Sequence, residues 1–127
     1  GADESDGGSL IPGRTAAPIA VGETKSATAP AGGFSDFVLD LAPGAVPNLA
    51  VRLTSTAGIA GVRLLARSLQ FPLATVFDAG GVASDGQTLE LLVLLPASGK
   101  WYLSALATGA AVPFEITVGG ADRLAGS

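Results

Sequence analysis

Apolar and polar residues alternate along most of this chain with the two-residue period of half-buried strands. Between Phe34 and Leu41, Phe37, Leu39 and Leu41 share one side and Asp36, Val38 and Asp40 the other. Residues 48–55 repeat the pattern, with Leu49, Val51 and Leu53 set against Asn48, Ala50, Arg52 and Thr54. Residues 61–68 place Val62, Leu64 and Ala66 opposite Arg63, Leu65 and Arg67, and residues 112–118 place Phe114, Ile116 and Val118 opposite Glu115 and Thr117. The densest stretch is 87–107. Leu89, Leu91, Val93 and Leu95 alternate in its first arm, and Trp101, Leu103 and Ala105 in its second. Pro96-Ala97-Ser98-Gly99 lies between them, with turn residues where a reversal needs them. The spacing predicts a β-hairpin over 87–107, in the middle of the core. Shorter strands are expected at 17–21, 24–28 and 73–77. Residues 78–86 read as a long loop that closes on the Asp85-Gly86 turn dipeptide.

Leu64, Leu65 and Arg67 are good helix formers, yet the alternating arginines and the neighbouring strands favour a strand there. About eight or nine short strands separated by turn signals predict an all-β chain. The expected fold is an antiparallel β-sandwich of jelly-roll or Greek-key type. The sandwich is expected over 15–120. An acidic, glycine-rich tail or linker would precede it over 1–14, and a frayed C-terminal tail would follow over 121–127.

Composition narrows the chemistry. The 127 residues include no cysteine and no histidine, which removes disulfides, thiol chemistry, the commonest general base and the commonest metal ligand. Methionine is absent as well, so the chain is expected to begin after a removed leader or at an artificial boundary. The net charge is −4 and the arginines are scattered, with no basic stripe to track a nucleic acid. Mean hydropathy is high, at +0.51, but no apolar run reaches the roughly 18–20 residues of a membrane helix. No G-x-S-x-G elbow, phosphate loop or D-x-D-x-D calcium run is present. No catalytic residue is assigned and the chain is not expected to be an enzyme. No metal ligand or cofactor is assigned from the residues. Asp3, Glu4 and Asp6 read as a solvated linker rather than a cation site. Asp78 and Asp85 read as turn residues.

The outward positions are less ordinary. Val38, Leu65, Leu92, Leu94 and Leu106 fall on the side of their strands that a one-sided sheet turns to water. Either a loop or the chain ends cover them, or they form an exposed apolar patch, which marks a docking surface. Trp101 and Tyr102 are adjacent, so one faces the core and the other outward; the register turns Tyr102 outward. Leu92, Leu94, Tyr102 and Leu106 are therefore the candidate binding residues, all on the outward face of the expected hairpin.

Three segments resemble the bacterial pre-peptidase C-terminal domain family. They are Phe34-Ser35-Asp36-Phe37-Val38-Leu39-Asp40-Leu41-Ala42-Pro43-Gly44, Leu95-Pro96-Ala97-Ser98-Gly99-Lys100-Trp101-Tyr102-Leu103-Ser104-Ala105, and Phe114-Glu115-Ile116-Thr117-Val118. The resemblance spans about residues 19–120 and implies a jelly-roll-like sandwich appended to an exported protein, secreted or at the cell surface. Some members resemble collagen- or polysaccharide-binding modules and some bind calcium, so calcium is the one ion the resemblance brings. The family often carries an acidic residue where Arg63 stands here, and no calcium ligand is carried over to that strand. The implied function is a non-catalytic accessory domain that docks to a protein or an extracellular polymer. A calcium- or carbohydrate-binding module and a self-assembling structural subunit, a homo-oligomer, are the alternatives.

Overall fold

The computed structural model describes residues 14–94 and 96–121. Ten strands form, and no helix forms, among the described residues: β1 (Ala16–Pro18), β2 (Thr24–Ala29), β3 (Phe34–Leu41), β4 (Asn48–Thr54), β5 (Val62–Ser68), β6 (Ala79–Gly80), β7 (Val82–Asp85), β8 (Thr88–Leu94), β9 (Gly99–Ala107) and β10 (Val112–Ala121). Sheet A has the order β1-β3-β9-β5-β6 and sheet B the order β2-β10-β4-β8-β7. Strand pairs β2–β10, β3–β9, β4–β8 and β5–β6 are those of one long hairpin folded over on itself. That connectivity is a jelly roll, one of the two sandwich types that the strand count and turn spacing predicted. β1 adds to it as a parallel strand on β3, and β7 as an antiparallel strand on β8.

The inward sets read from the alternation make the core. Phe37, Leu39 and Leu41 of β3, Val62, Leu64 and Ala66 of β5, and Trp101, Leu103 and Ala105 of β9 come from sheet A. Leu49, Val51 and Leu53 of β4, Leu89 and Leu91 of β8, and Phe114, Ile116 and Val118 of β10 come from sheet B. Phe37 and Phe114 meet edge to face across the two sheets, with centroids 6.1 Å apart. Each fully buried leucine or phenylalanine contributes roughly 1.5–3 kcal/mol, so the interdigitating inner faces are what hold the sheets together.

The expected hairpin over 87–107 does not form. β8 pairs with β4 and β7 in sheet B, and β9 pairs with β3 and β5 in sheet A. The segment between them is an arch from one sheet to the other. Gly99 turns the arch at φ 109°, where a side chain would be strained. The Trp101 indole N–H ties it down with a 2.8 Å bond to the Ala97 carbonyl. Leu95, expected inward, lies outside the described residues. Three other expectations also change. The strand expected at 73–77 is irregular chain, and the loop expected over 78–86 contains β6 and β7. The strand expected at 17–21 is β1, which is shorter and starts one residue earlier.

Candidate docking faces

A jelly roll has two outer sheet faces, and here they differ. On sheet A the outward positions line up in three cross-strand rows: Phe34–Leu106–Arg63, Asp36–Ser104–Leu65 and Val38–Tyr102–Arg67. Residues 69–78, after Leu69 turns the chain at φ 73°, lie across these rows. Phe71 is buried and packs its ring on Tyr102, with centroids 4.9 Å apart. The sheet's own arginines hold the segment down. Arg63 Nη1 donates to the Ala74 carbonyl at 2.9 Å, and Arg67 Nη1 donates to the Phe71 carbonyl at 3.3 Å. The Arg63 guanidinium also sits 5.5 Å from the Phe77 ring centroid.

Arg14 completes the cover from the other side. Its guanidinium lies 3.8 Å from the Phe34 ring centroid and 4.6 Å from that of Phe71. It donates to both Asp36 carboxylate oxygens, at 2.6 and 2.9 Å, and to the Pro72 carbonyl at 2.7 Å. Ser104 Oγ donates to Asp36 Oδ1 at 2.5 Å. The buried carboxylate is thus matched by a charge and a hydroxyl, as burial requires. Among the described residues no buried side-chain N or O lacks a partner. Leu65, Phe71, Tyr102 and Leu106 are buried here yet lie outside the main core cluster. They form a second, smaller apolar layer.

Among the described residues sheet B has no such cover. Its outer face carries the rows Val82–Glu90–Arg52–Thr117–Thr24, Leu92–Ala50–Gly119 and Leu94–Asn48. Val82 is 70% exposed and Leu94 55%, while Leu92 is half-buried. Ala50 and Gly119 are too small to fill the space beside Leu92; a Cβ added at Gly119 would meet nothing within 4 Å. The result is a shallow groove of about 580 Å³, bounded by Ala50, Arg52, Val82, Glu90, Leu92 and Gly119. Its charges are the Arg52–Glu90 ion pair, 3.0 Å apart and exposed, worth at most about 1 kcal/mol.

The four residues singled out from the sequence are therefore not together. Leu92 and Leu94 lie on the outer face of sheet B. Tyr102 and Leu106 lie on the outer face of sheet A, 2% and 7% exposed beneath the arginine-held cover. Two adjacent outward arms of a hairpin would share a face; two arms of an arch cannot. The Arg14–Asp36–Ser104 network had no signal in the sequence, because its members are separated by 22 and 68 positions and no local pattern pairs them.

A third surface is a cleft of about 620 Å³ at one end of sheet B, lined by Ser26, Thr28, Thr54, Thr88, Gln87 and Glu115 together with the apolar Ala27, Pro113 and Phe114. Asp78 and Asp85 each bond a backbone N–H, from Ser68 and Gln87, both at 2.8 Å. Among the described residues no group of three or more Asp and Glu stands together to hold a metal ion. Asp3, Glu4 and Asp6 lie outside the described residues. No helix among the described residues is long and apolar enough to cross a membrane.

No protein-family model matches the sequence, and no curated protein matches it. A solved structure does match: the crystal structure of the pre-peptidase C-terminal domain of collagenase from Bacillus anthracis. The TM-score is 0.68 at 18% sequence identity, covering 86% of this chain and 99% of that one. The resemblance read from the sequence extends to the fold, and the chain has the fold of a pre-peptidase C-terminal domain.

Proposed function

We propose that this chain is a non-catalytic accessory domain of an exported bacterial protein, and that it docks to a protein domain or an extracellular polymer through the outer face of sheet B. The observation that carries the reading is the difference between the two faces. The chain uses a dedicated segment and three arginines to seal the apolar outer positions of sheet A. It leaves Val82 and Leu94 exposed on sheet B, with half-buried Leu92 beside a groove bounded by Ala50 and Gly119. Contiguous exposed apolar surface of this kind marks interaction sites. The fold shared with a domain of a collagenase supports the accessory role and an extracellular setting. The residue set supports a role without catalysis, since no histidine or cysteine is present to act as base or nucleophile.

Two measurements test it. Purified chain should show no peptidase or glycosidase turnover; activity that survives exhaustive purification and co-elutes with the folded chain contradicts the reading. Co-sedimentation with a panel of insoluble polymers, collagen fibrils and chitin among them, together with analytical ultracentrifugation of the chain alone, should find a binding or self-association event that Leu94→Asp weakens at least tenfold. An event that Leu94→Asp leaves intact places docking elsewhere. The cleft beside Thr54 and Gln87, which sets polar side chains next to Pro113 and Phe114, supports a second reading, a carbohydrate site. A saturating oligosaccharide that binds only the folded chain must then raise its melting temperature.

A further inference from the structure

Sheet B ends at β2, and the hydrogen-bonding capacity of that strand is half used. Val118 donates its N–H to the Glu23 carbonyl at 3.2 Å, and its carbonyl accepts from Gly22 N at 2.7 Å. Even-numbered residues of β10 thus turn their backbone groups toward β2. Odd-numbered Pro113 turns its carbonyl the other way, onto Ser55 Oγ at 2.7 Å. Val112, Phe114 and Ile116 stand opposite Ala29, Ala27 and Lys25. In an antiparallel ladder this engages the backbone of Lys25, Ala27 and Ala29, and it points the N–H and C=O groups of Thr24, Ser26 and Thr28 off the sheet. No described strand pairs with that side.

The other sheet edges carry devices that blunt strand addition. β7 has a register shift between Ala83 and Asp85, β6 is two residues long, and β1 is three residues long and ends in Pro18. β2 is a regular six-residue strand without proline. Its outward side chains are the small hydroxyls of Thr24, Ser26 and Thr28, all exposed.

What such an edge can accept is set by the layer beneath. β2 stacks on β3 and β9, so β1, which lies beyond β3, projects past it as a ledge. The recess between ledge and edge is about 460 Å³ and is lined by Ala17, Lys25, Ala27, Ser35 and Phe37 among others. A single added strand would rest on that ledge. A second copy of the whole sandwich would drive its own β3 into β1. The recess also has a charge preference. Arg14 and Asp36 neutralise each other, while among the described residues Lys25 is tied only to Glu23 at 3.4 Å, with both side chains about 40% exposed. An exposed pair of this kind yields readily to another carboxylate.

We infer that β2 is a strand-addition site that takes one extended segment of a partner polypeptide, with small residues and a carboxylate on the side facing Lys25. The inference rests on reading the chain as an interaction domain. It adds a surface whose chemistry is backbone pairing rather than apolar contact.

The test is amide-resolved NMR titration of the chain with two acetylated, amidated peptides, TATETAT and TATKTAT. The expected result is saturable shifts over Thr24–Ala29 and Ala16–Pro18, with the glutamate peptide about threefold tighter, the scale of an exposed ion pair. Ser26→Pro should abolish binding at unchanged fold, because the Ser26 N–H takes no part in the β2–β10 ladder. Lys25→Glu should reverse the peptide preference, a readout that does not depend on the proline variant folding. Leu94→Asp should change nothing. Absence of shifts with both peptides at millimolar concentration, shifts centred on Leu92 and Leu94, or full binding by Ser26→Pro would each overturn the inference. Because Leu94→Asp tests the sheet face and Ser26→Pro the edge, the two readings fail separately.

Discussion

Arg14 grips the Asp36 carboxylate through two nitrogens, Nε and Nη2, and both side chains are nearly sealed from water, 9% and 2% exposed. The pair joins the start of the described chain to the middle of sheet A. Removing one partner strands the other as a buried charge, which costs far more than the pair contributes. Arg14→Ala should therefore destabilise the fold by about 3 kcal/mol in chemical denaturation. The double variant Arg14→Met, Asp36→Leu should lose clearly less. A single variant within about 0.5 kcal/mol of the parent, the range of ordinary surface substitutions, would show that the pair does not anchor the segment.

Phe71 and Tyr102 make the apolar half of the same cover. Phe71→Ala removes a buried ring from a site that only an irregular segment supplies, and should cost about 3 kcal/mol. It should also raise amide hydrogen exchange in residues 69–78 above that of the β3–β9 ladder. Equal exchange in both regions would mean that the segment is held by the arginine contacts alone.

Gly119 and Gly120 are neighbours on β10 that face opposite ways. A Cβ at Gly120 would meet Val46 Cγ1 at 2.7 Å and Val46 Cβ at 3.0 Å, whereas one at Gly119 would meet nothing within 4 Å. Gly120→Ala should cost about 1–3 kcal/mol through overpacking. Gly119→Ala should be near neutral in stability while shallowing the groove beside Leu92. Thermal melts of the two variants check both statements, and equal melting temperatures would contradict the assigned facing of this strand.

The strands whose one face is core were legible from alternation, because burial on one side leaves a period-two record. That covers β3, β4, β5 and β10, and with them the all-β sandwich class. The partner of a strand leaves no such record. Leu89–Leu91 and Trp101–Leu103 read the same whether Pro96–Gly99 folds back within a sheet or crosses between sheets, so alternation alone predicts a hairpin where an arch forms. Residues 73–77 look like a strand because Leu73, Val76 and Phe77 are apolar; they belong to the segment over sheet A instead of a ladder. The alternative left open by the outward leucines has an answer on each side. Leu65 and Leu106 are covered, Leu94 is not, and the cover depends on contacts from Arg14, Arg63 and Arg67 that no local pattern announces.

The outer positions of sheet A lie sealed beneath residues 69–78, a segment that shows Leu69, Leu73 and Val76 to solvent, while Val82 and Leu94 of sheet B are open; hydroxyl-radical footprinting read by mass spectrometry measures this side chain by side chain. Tyrosine and phenylalanine are intrinsically more reactive than leucine and valine, so the comparison is demanding. The expected result is fast labelling at Val82 and Leu94 and strong protection at Phe71 and Tyr102. Labelling of Tyr102 as fast as Leu94 would mean that sheet A is open, and the assignment of the docking face would fall with it.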